Sequence, residues 1–150
     1  MYKAIVVGTD GSDRATGAVS QALALAKMSG ATLHVVHVVR PLPPSMMGEH
    51  VDPSAIAVAL ADMRVEGEEI CARVRTEARR ADVSAEVHNV EGDPADVLLS
   101  IAETVDADLV VVGNRGMSGI KRFVLGSVPN KVSHHCPCSL LIVNTDAEHA

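Results

Sequence analysis

Asp108-Leu109-Val110-Val111-Val112 runs apolar without alternation and stops on Gly113. A strand with one wet face alternates apolar and polar side chains, so a continuous run fits a strand covered on both faces. Lys3 to Thr9 has the same character, and helix signals lie between such runs. Ser12 is placed to cap a helix from Asp13 to about Ser29 that Gly30 closes. Ala15, Val19, Ala22, Leu23 and Ala26 fall on one side of it. Pro53 suits the first turn of a long helix reaching about Ala81, and Asp93 caps another with Pro94 at its first position. Further strands are expected at Ala31–Val39, Ala85–Val90 and Leu140–Val143, with a last helix from about Val128 to His135. The order βαβαβαβαβ predicts an α/β fold with a single five-stranded parallel sheet and right-handed crossovers.

The apolar run also opens a glycine frame, Gly113-Asn114-Arg115-Gly116, then nine residues, then Gly126-Ser127. Glycines let backbone turn sharply and approach a ligand closely. Gly126-Ser127-Val128 at a helix start offers N–H groups and a hydroxyl to an anion, most often a phosphate.

Bulk properties narrow the partners. The 150 residues fit one domain. A net charge of −6 argues against nucleic acid, whose binding needs clustered Lys and Arg. No stretch approaches the roughly 20 apolar residues that span a bilayer, and Asp10 ends the only early apolar run, unlike a signal peptide. Three cysteines fit a reducing compartment, so a cytoplasmic chain is expected. Tyr2 and Phe123 are the only aromatics, so a bound base would lie between aliphatic side chains and backbone. Arg40 to Asp52, with three prolines and Gly48, reads as a flexible loop, and residues from about 145 to 150 as a short disordered tail. The charges Glu66, Glu69, Arg73, Arg75, Glu77, Arg79 and Arg80 read as the solvated face of the long helix.

Gly113-x2-Gly116-x9-Gly126-Ser127 resembles the nucleotide-binding signature of the universal stress protein family, ATP-binding subclass. Lys3 to Ser12 resembles that family's opening strand and acidic loop, Ala107 to Gly113 its fourth strand, and Leu125 to Val128 with Cys136-Pro137 before Leu140–Val143 its closing unit. The resemblance implies a doubly wound sheet in the order 3-2-1-4-5 with helices on both faces, and ATP or a related adenine nucleotide between strands one and four, where open sheets of this type bind ligands. It implies contacts from Gly8, Thr9, Asp10, Val38, Val39, Val112, Gly113, Asn114, Arg115, Gly116, Met117, Ser118, Gly126, Ser127 and Val128. Val38 and Val39 would wall the base. Two positions depart from the pattern. Pro129 stands where many ATP-binding members carry Ser or Thr, which leaves room for AMP or cyclic AMP, and Cys138 replaces an aliphatic residue.

Other residues admit more than one role. Asp10 could bond a ribose hydroxyl, help hold Mg²⁺ through the nucleotide phosphates, or simply shape the Thr9-Asp10-Gly11-Ser12 turn. Arg115 could fork onto phosphate or point to solvent. His134-His135-Cys136-Pro137-Cys138 invites a zinc reading, but no second cluster supplies the remaining ligands, and a helix end before a buried strand explains it. His34, His37 and His88 lie on strands, with Asp10 the one partner that can be named. No nucleophile–base pair, P-loop or dinucleotide fingerprint is present, so no catalytic residue is assigned. The leading expectation is an ATP-binding regulatory protein of the stress response. The alternatives are a cyclic AMP or AMP sensor, a slow Mg²⁺-dependent ATPase, and a scaffold that dimerises through Ser139, Leu140, Leu141, Ile142 and Val143 at the edge of strand five.

Overall fold

The computed structural model describes residues 1–114 and 124–145. Strand β1 (Ala4–Gly8) leads to helix α1 (Asp13–Ser29) and strand β2 (Thr32–Val39). Helix α2 (Pro53–Arg80), strand β3 (Ala85–Glu91) and helix α3 (Pro94–Thr104) follow, then strand β4 (Leu109–Gly113), helix α4 (Ser127–His135) and strand β5 (Ser139–Val143). All strands pair in parallel in the order β3-β2-β1-β4-β5. This is the expected doubly wound sheet, with its switch point between β1 and β4. The 40–52 segment, expected to lack regular structure, contains one short 3-10 turn at Pro44–Met46.

Strand alternation splits the core into two halves. Ile5, Val7, Leu33, Val35 and Val111 face α1 and α2, where they meet Ala18, Val19, Ala22, Val74 and Ala78. Val6, Val36, Val110 and Val112 face α3 and α4 and pack with Ala95, Leu98, Ala102 and Val132. Burying one such valine or leucine contributes about 1.5–3 kcal/mol before chain entropy is counted. The charges expected on α2 are all exposed. That helix buries only Gly67, Ile70, Cys71, Val74 and Ala78, so its first four turns run free of the core.

Carboxylates tie the strand and helix starts. One Asp108 oxygen accepts the backbone N–H of Lys3 (2.6 Å) and of Ala4 (3.0 Å), pinning the start of β1 to that of β4. Those two N–H groups hold its pKa below the ordinary 3.8. Asp93 caps α3 through the N–H of Asp96, and Lys131 of α4 bridges Asp93 (3.3 Å) and Asp96 (2.8 Å). Its pKa is lowered first by the Asp96 N–H and then by Lys131, and that of Asp52, the cap of α2, by the Ser54 N–H. A depressed folded-state pKa contributes stability that is complete above the unfolded value and lost as pH falls through the folded one. Thermal melts from neutral pH to about pH 2 should therefore decline gently below the ordinary histidine range, where buried His34 resists charging, and steeply once pH drops below the ordinary carboxylate range. Asp108→Asn should lower the plateau and soften the acid-side fall; an unaltered acid limb would remove Asp108 from this account.

Candidate functional site

A cavity of about 500 Å³ opens at the carboxyl ends of the strands, on the α3–α4 side of the switch point. That lies within the roughly 300–1,000 Å³ of small-molecule sites. Val36 and Val38 of β2, Val112 of β4 and Leu98 of α3 give it aliphatic walls, while Thr9, Asp10, Arg40 and Ser127 bring polar groups. Of the residues expected there, Gly8, Thr9, Asp10, Val38, Val112, Gly113, Gly126, Ser127 and Val128 line it. Arg115, Gly116, Met117 and Ser118 lie outside the described residues.

Asn114 and Val39 do not line the cavity. The Asn114 side-chain oxygen accepts both the N–H (3.1 Å) and the hydroxyl (2.8 Å) of Thr145, which fastens the chain leaving β5. Val39 is buried, and the two-residue period of β2 turns it away from the face that Val38 presents. Sequence reasoning also passed over Val36, Arg40, Ala15 and Leu98. The same period, applied backwards from Val38, reaches Val36, and Arg40 is the first residue past the carboxyl end of β2. Ala15, expected in the core stripe of α1, forms cavity wall instead.

The helix starts are not equivalent. Ser12 caps α1 by accepting the N–H of Ala15 (3.2 Å), Asp52 caps α2 through Ser54 (2.9 Å), and Asp93 caps α3 through Asp96 (3.1 Å). Helix α4 begins at Gly126 with no side-chain cap and no acidic residue in its first turn. The N–H groups of Ser127 and Val128 have no acceptor four residues back, and among the described residues no cap or first-turn carboxylate offsets the positive end of the helix at the cavity wall. Gly126 itself has φ −58° and ψ 160°, a conformation open to any residue. What glycine supplies there is the missing Cβ, not turning freedom. Pro129, buried in the same first turn, also lines the cavity and brings no N–H.

The acidic loop is built by its own side chains. One Asp10 oxygen accepts the Ser12 N–H (2.9 Å) and the Thr9 hydroxyl accepts the Gly11 N–H (3.2 Å). The turn-shaping role of Asp10 is thus realised, and among the described residues no hydrogen bond takes its second oxygen at the cavity. The strand histidines have partners other than Asp10. On the α2 side His37 Nδ1 meets Asn89 Oδ1 at 2.9 Å, and on the opposite face His34 Nδ1 meets His88 Nε2 at 3.2 Å. Asp10 sits beyond the strand ends, out of line with both pairs. Burial lowers the pKa of His34, with Glu86 opposing and His88 reinforcing the shift.

The profile of the Universal stress protein family matches residues 1–144. The chain belongs to the universal stress protein family. It is 35% identical over 147 residues to the universal stress protein YxiE of Bacillus subtilis, covering 95% of this chain and 99% of that one. A universal stress protein solved in complex with cAMP is 34% identical, with TM-score 0.68 and coverage of 96% and 98%. The Archaeoglobus fulgidus universal stress protein solved with dAMP is 25% identical, with TM-score 0.67 and coverage of 95% and 98%. Among the described residues of this universal stress protein, no helix is long and apolar enough to cross a membrane.

Proposed function

We propose that this universal stress protein is an adenine-nucleotide-binding regulator that holds the nucleotide in the crevice between β1 and β4. The observation that carries this reading is the uncapped start of α4. Among the described residues, three of the four α-helices spend a side chain on their first N–H groups, and the fourth starts uncapped at a cavity. A phosphate there would accept from Ser127 and Val128, with the Ser127 hydroxyl beside them. Val36 and Val38 would wall the base, and the second Asp10 oxygen would take a ribose hydroxyl or a phosphate-bound Mg²⁺. Arg40 adds a cation at the mouth.

ATP is the leading ligand because the Gly126-Ser127 half of the frame is intact. A monophosphate or cyclic AMP is the second reading. Pro129 removes one N–H from the first turn of α4, and relatives of 34% and 25% identity were solved with cAMP and dAMP. Cytoplasmic residence and self-association through the β5 edge belong to this reading.

Calorimetric titration of ligand-stripped protein with ATP plus Mg²⁺, AMP and cyclic AMP ranks the ligands. Gly126→Asp tests the site, because it installs the missing cap carboxylate where the phosphate would sit. Nucleotide affinity should fall at least about 10-fold while the ligand-free protein melts no lower, Asp being better than Gly as a cap by roughly a few tenths of a kcal/mol. Unchanged affinity in Gly126→Asp would place the nucleotide elsewhere, and no binding of any of the three would end the reading. Light scattering of the same samples reads the oligomeric state, and a monomer would remove the β5 interface.

A further inference from the structure

Two pleats below the cavity wall, β2 and β3 bring three metal-binding side chains to one point. His34 and Glu86 are register partners across the two parallel strands, and His88 follows Glu86 by two residues on the same face. Their ligand atoms, His34 Nδ1, His88 Nε2 and a Glu86 carboxylate oxygen, all lie within 4.8 Å of one another. The two imidazole nitrogens stand 3.2 Å apart. Nitrogens at zinc–ligand bond lengths and a tetrahedral angle are about 3.3 Å apart. The Glu86 oxygen is 3.7 Å from the same His34 nitrogen, and its side chain is 65% exposed and free to adjust.

Hydrogen bonding accounts for only part of this arrangement. A neutral imidazole pair shares one proton along one line, yet the Glu86 carboxylate is directed at the same His34 nitrogen. Three lone-pair carriers therefore surround a point that one hydrogen serves incompletely, whereas a cation takes all three at once. Burial of His34 and the half-burial of His88 hold the rings in place, while β3 is the sheet edge, so solvent reaches the site past Glu86.

We infer that His34, Glu86 and His88 form a binding site for a divalent first-row transition metal, zinc above all, separate from the nucleotide crevice. Two imidazoles and one carboxylate are borderline donors that suit Zn²⁺, Co²⁺ or Ni²⁺ better than Mg²⁺ or Ca²⁺. Three protein ligands leave a fourth position for water or for a donor from outside the chain.

The competing location is His134-His135-Cys136-Pro137-Cys138, where the Cys136 and Cys138 sulfurs are 4.0 Å apart. Burial, with Cys136 adding to it, pushes the Cys138 thiol up to about 12, away from the thiolate a metal needs. Titration of chelator-treated protein with Zn²⁺, and with Co²⁺ as the visible-absorbing probe, separates the two. One metal per chain is expected, with Co²⁺ d–d bands and no sulfur-to-cobalt charge-transfer band. His88→Gln and Glu86→Gln, at positions that are not fully buried, should each weaken Zn²⁺ by more than the roughly 10–100-fold that loss of an outer-shell partner costs. Glu86→His, which offers a third imidazole, should retain the metal. A Cys136→Ala/Cys138→Ala double variant should bind as the parent does. A thiolate band, no Zn²⁺ binding, or equal affinity in folded His88→Gln and Glu86→Gln would overturn the inference.

Discussion

Gly67→Val is expected to destabilise the fold by about 3 kcal/mol. Gly67 lies at the closest approach of α2 to the sheet, buried against the His37–Asn89 pair. A Cβ at this position would overlap Asn89 Oδ1 and come within 2.6 Å of His37 Nδ1. That pair cannot move aside cheaply, because the Asn89 amide also donates to the Arg64 carbonyl at 3.0 Å and so holds α2 to β3. Relieving the overlap means either lifting the helix off the sheet or breaking both hydrogen bonds, of which the one to His37 is partly buried. Glycine inside a helix costs roughly 1 kcal/mol relative to alanine, so its presence here is itself a sign of close packing. Differential scanning calorimetry should show a melting temperature lower by roughly 6–12 °C, the fall a 3 kcal/mol loss gives at this chain length. A melt within a degree or two of the parent would mean that α2 seats more loosely than the structure shows.

Val38→Glu should cost at least about 100-fold in nucleotide affinity, some 2.7 kcal/mol. Val38 is a half-buried residue of the cavity wall at the carboxyl end of β2. A carboxylate there would either be desolvated against the base or repel the phosphates through the low-dielectric cleft. The position is near a strand end and outside the fully buried core, so the protein should still fold and binding alone should be lost. Calorimetry of Val38→Glu with the best of the three nucleotides gives the number. Retention of affinity would move the base off this wall and leave only the α4 end of the crevice in contact.

How far the sequence discloses these features depends on whether a pattern is local. The apolar runs at Ile5–Val7 and Leu109–Val112 and the helix-start signals Ser12, Pro53 and Asp93 are local, and the observed elements begin and end within a residue or two of them. Asp10 and Gly113 followed from joining the strand ends to the switch-point rule, and the other expected lining residues came with the family resemblance. What stayed hidden depends on which face a side chain takes. Val38 and Val39 look alike in sequence, yet only one meets the cavity. The Asn114–Thr145 bond spans 31 residues and no spacing announces it. Asp10 was the partner that sequence could name for the strand histidines. The observed partners are set by the β2–β3 register, which brings together residues 52 and 54 positions apart.

The sheet also acts as a partition. Val6 and Val7 are adjacent in the chain, yet one touches only the α3–α4 side and the other only the α1–α2 side. Packing errors on one side have no neighbours through which to spread to the other, since contact is what makes substitutions interdependent. The layer that borders the crevice can therefore drift, trading aliphatic residues around Val36, Leu98 and Val112, while the opposite layer keeps the chain folded. A scaffold divided this way can change what it holds without first risking whether it stands.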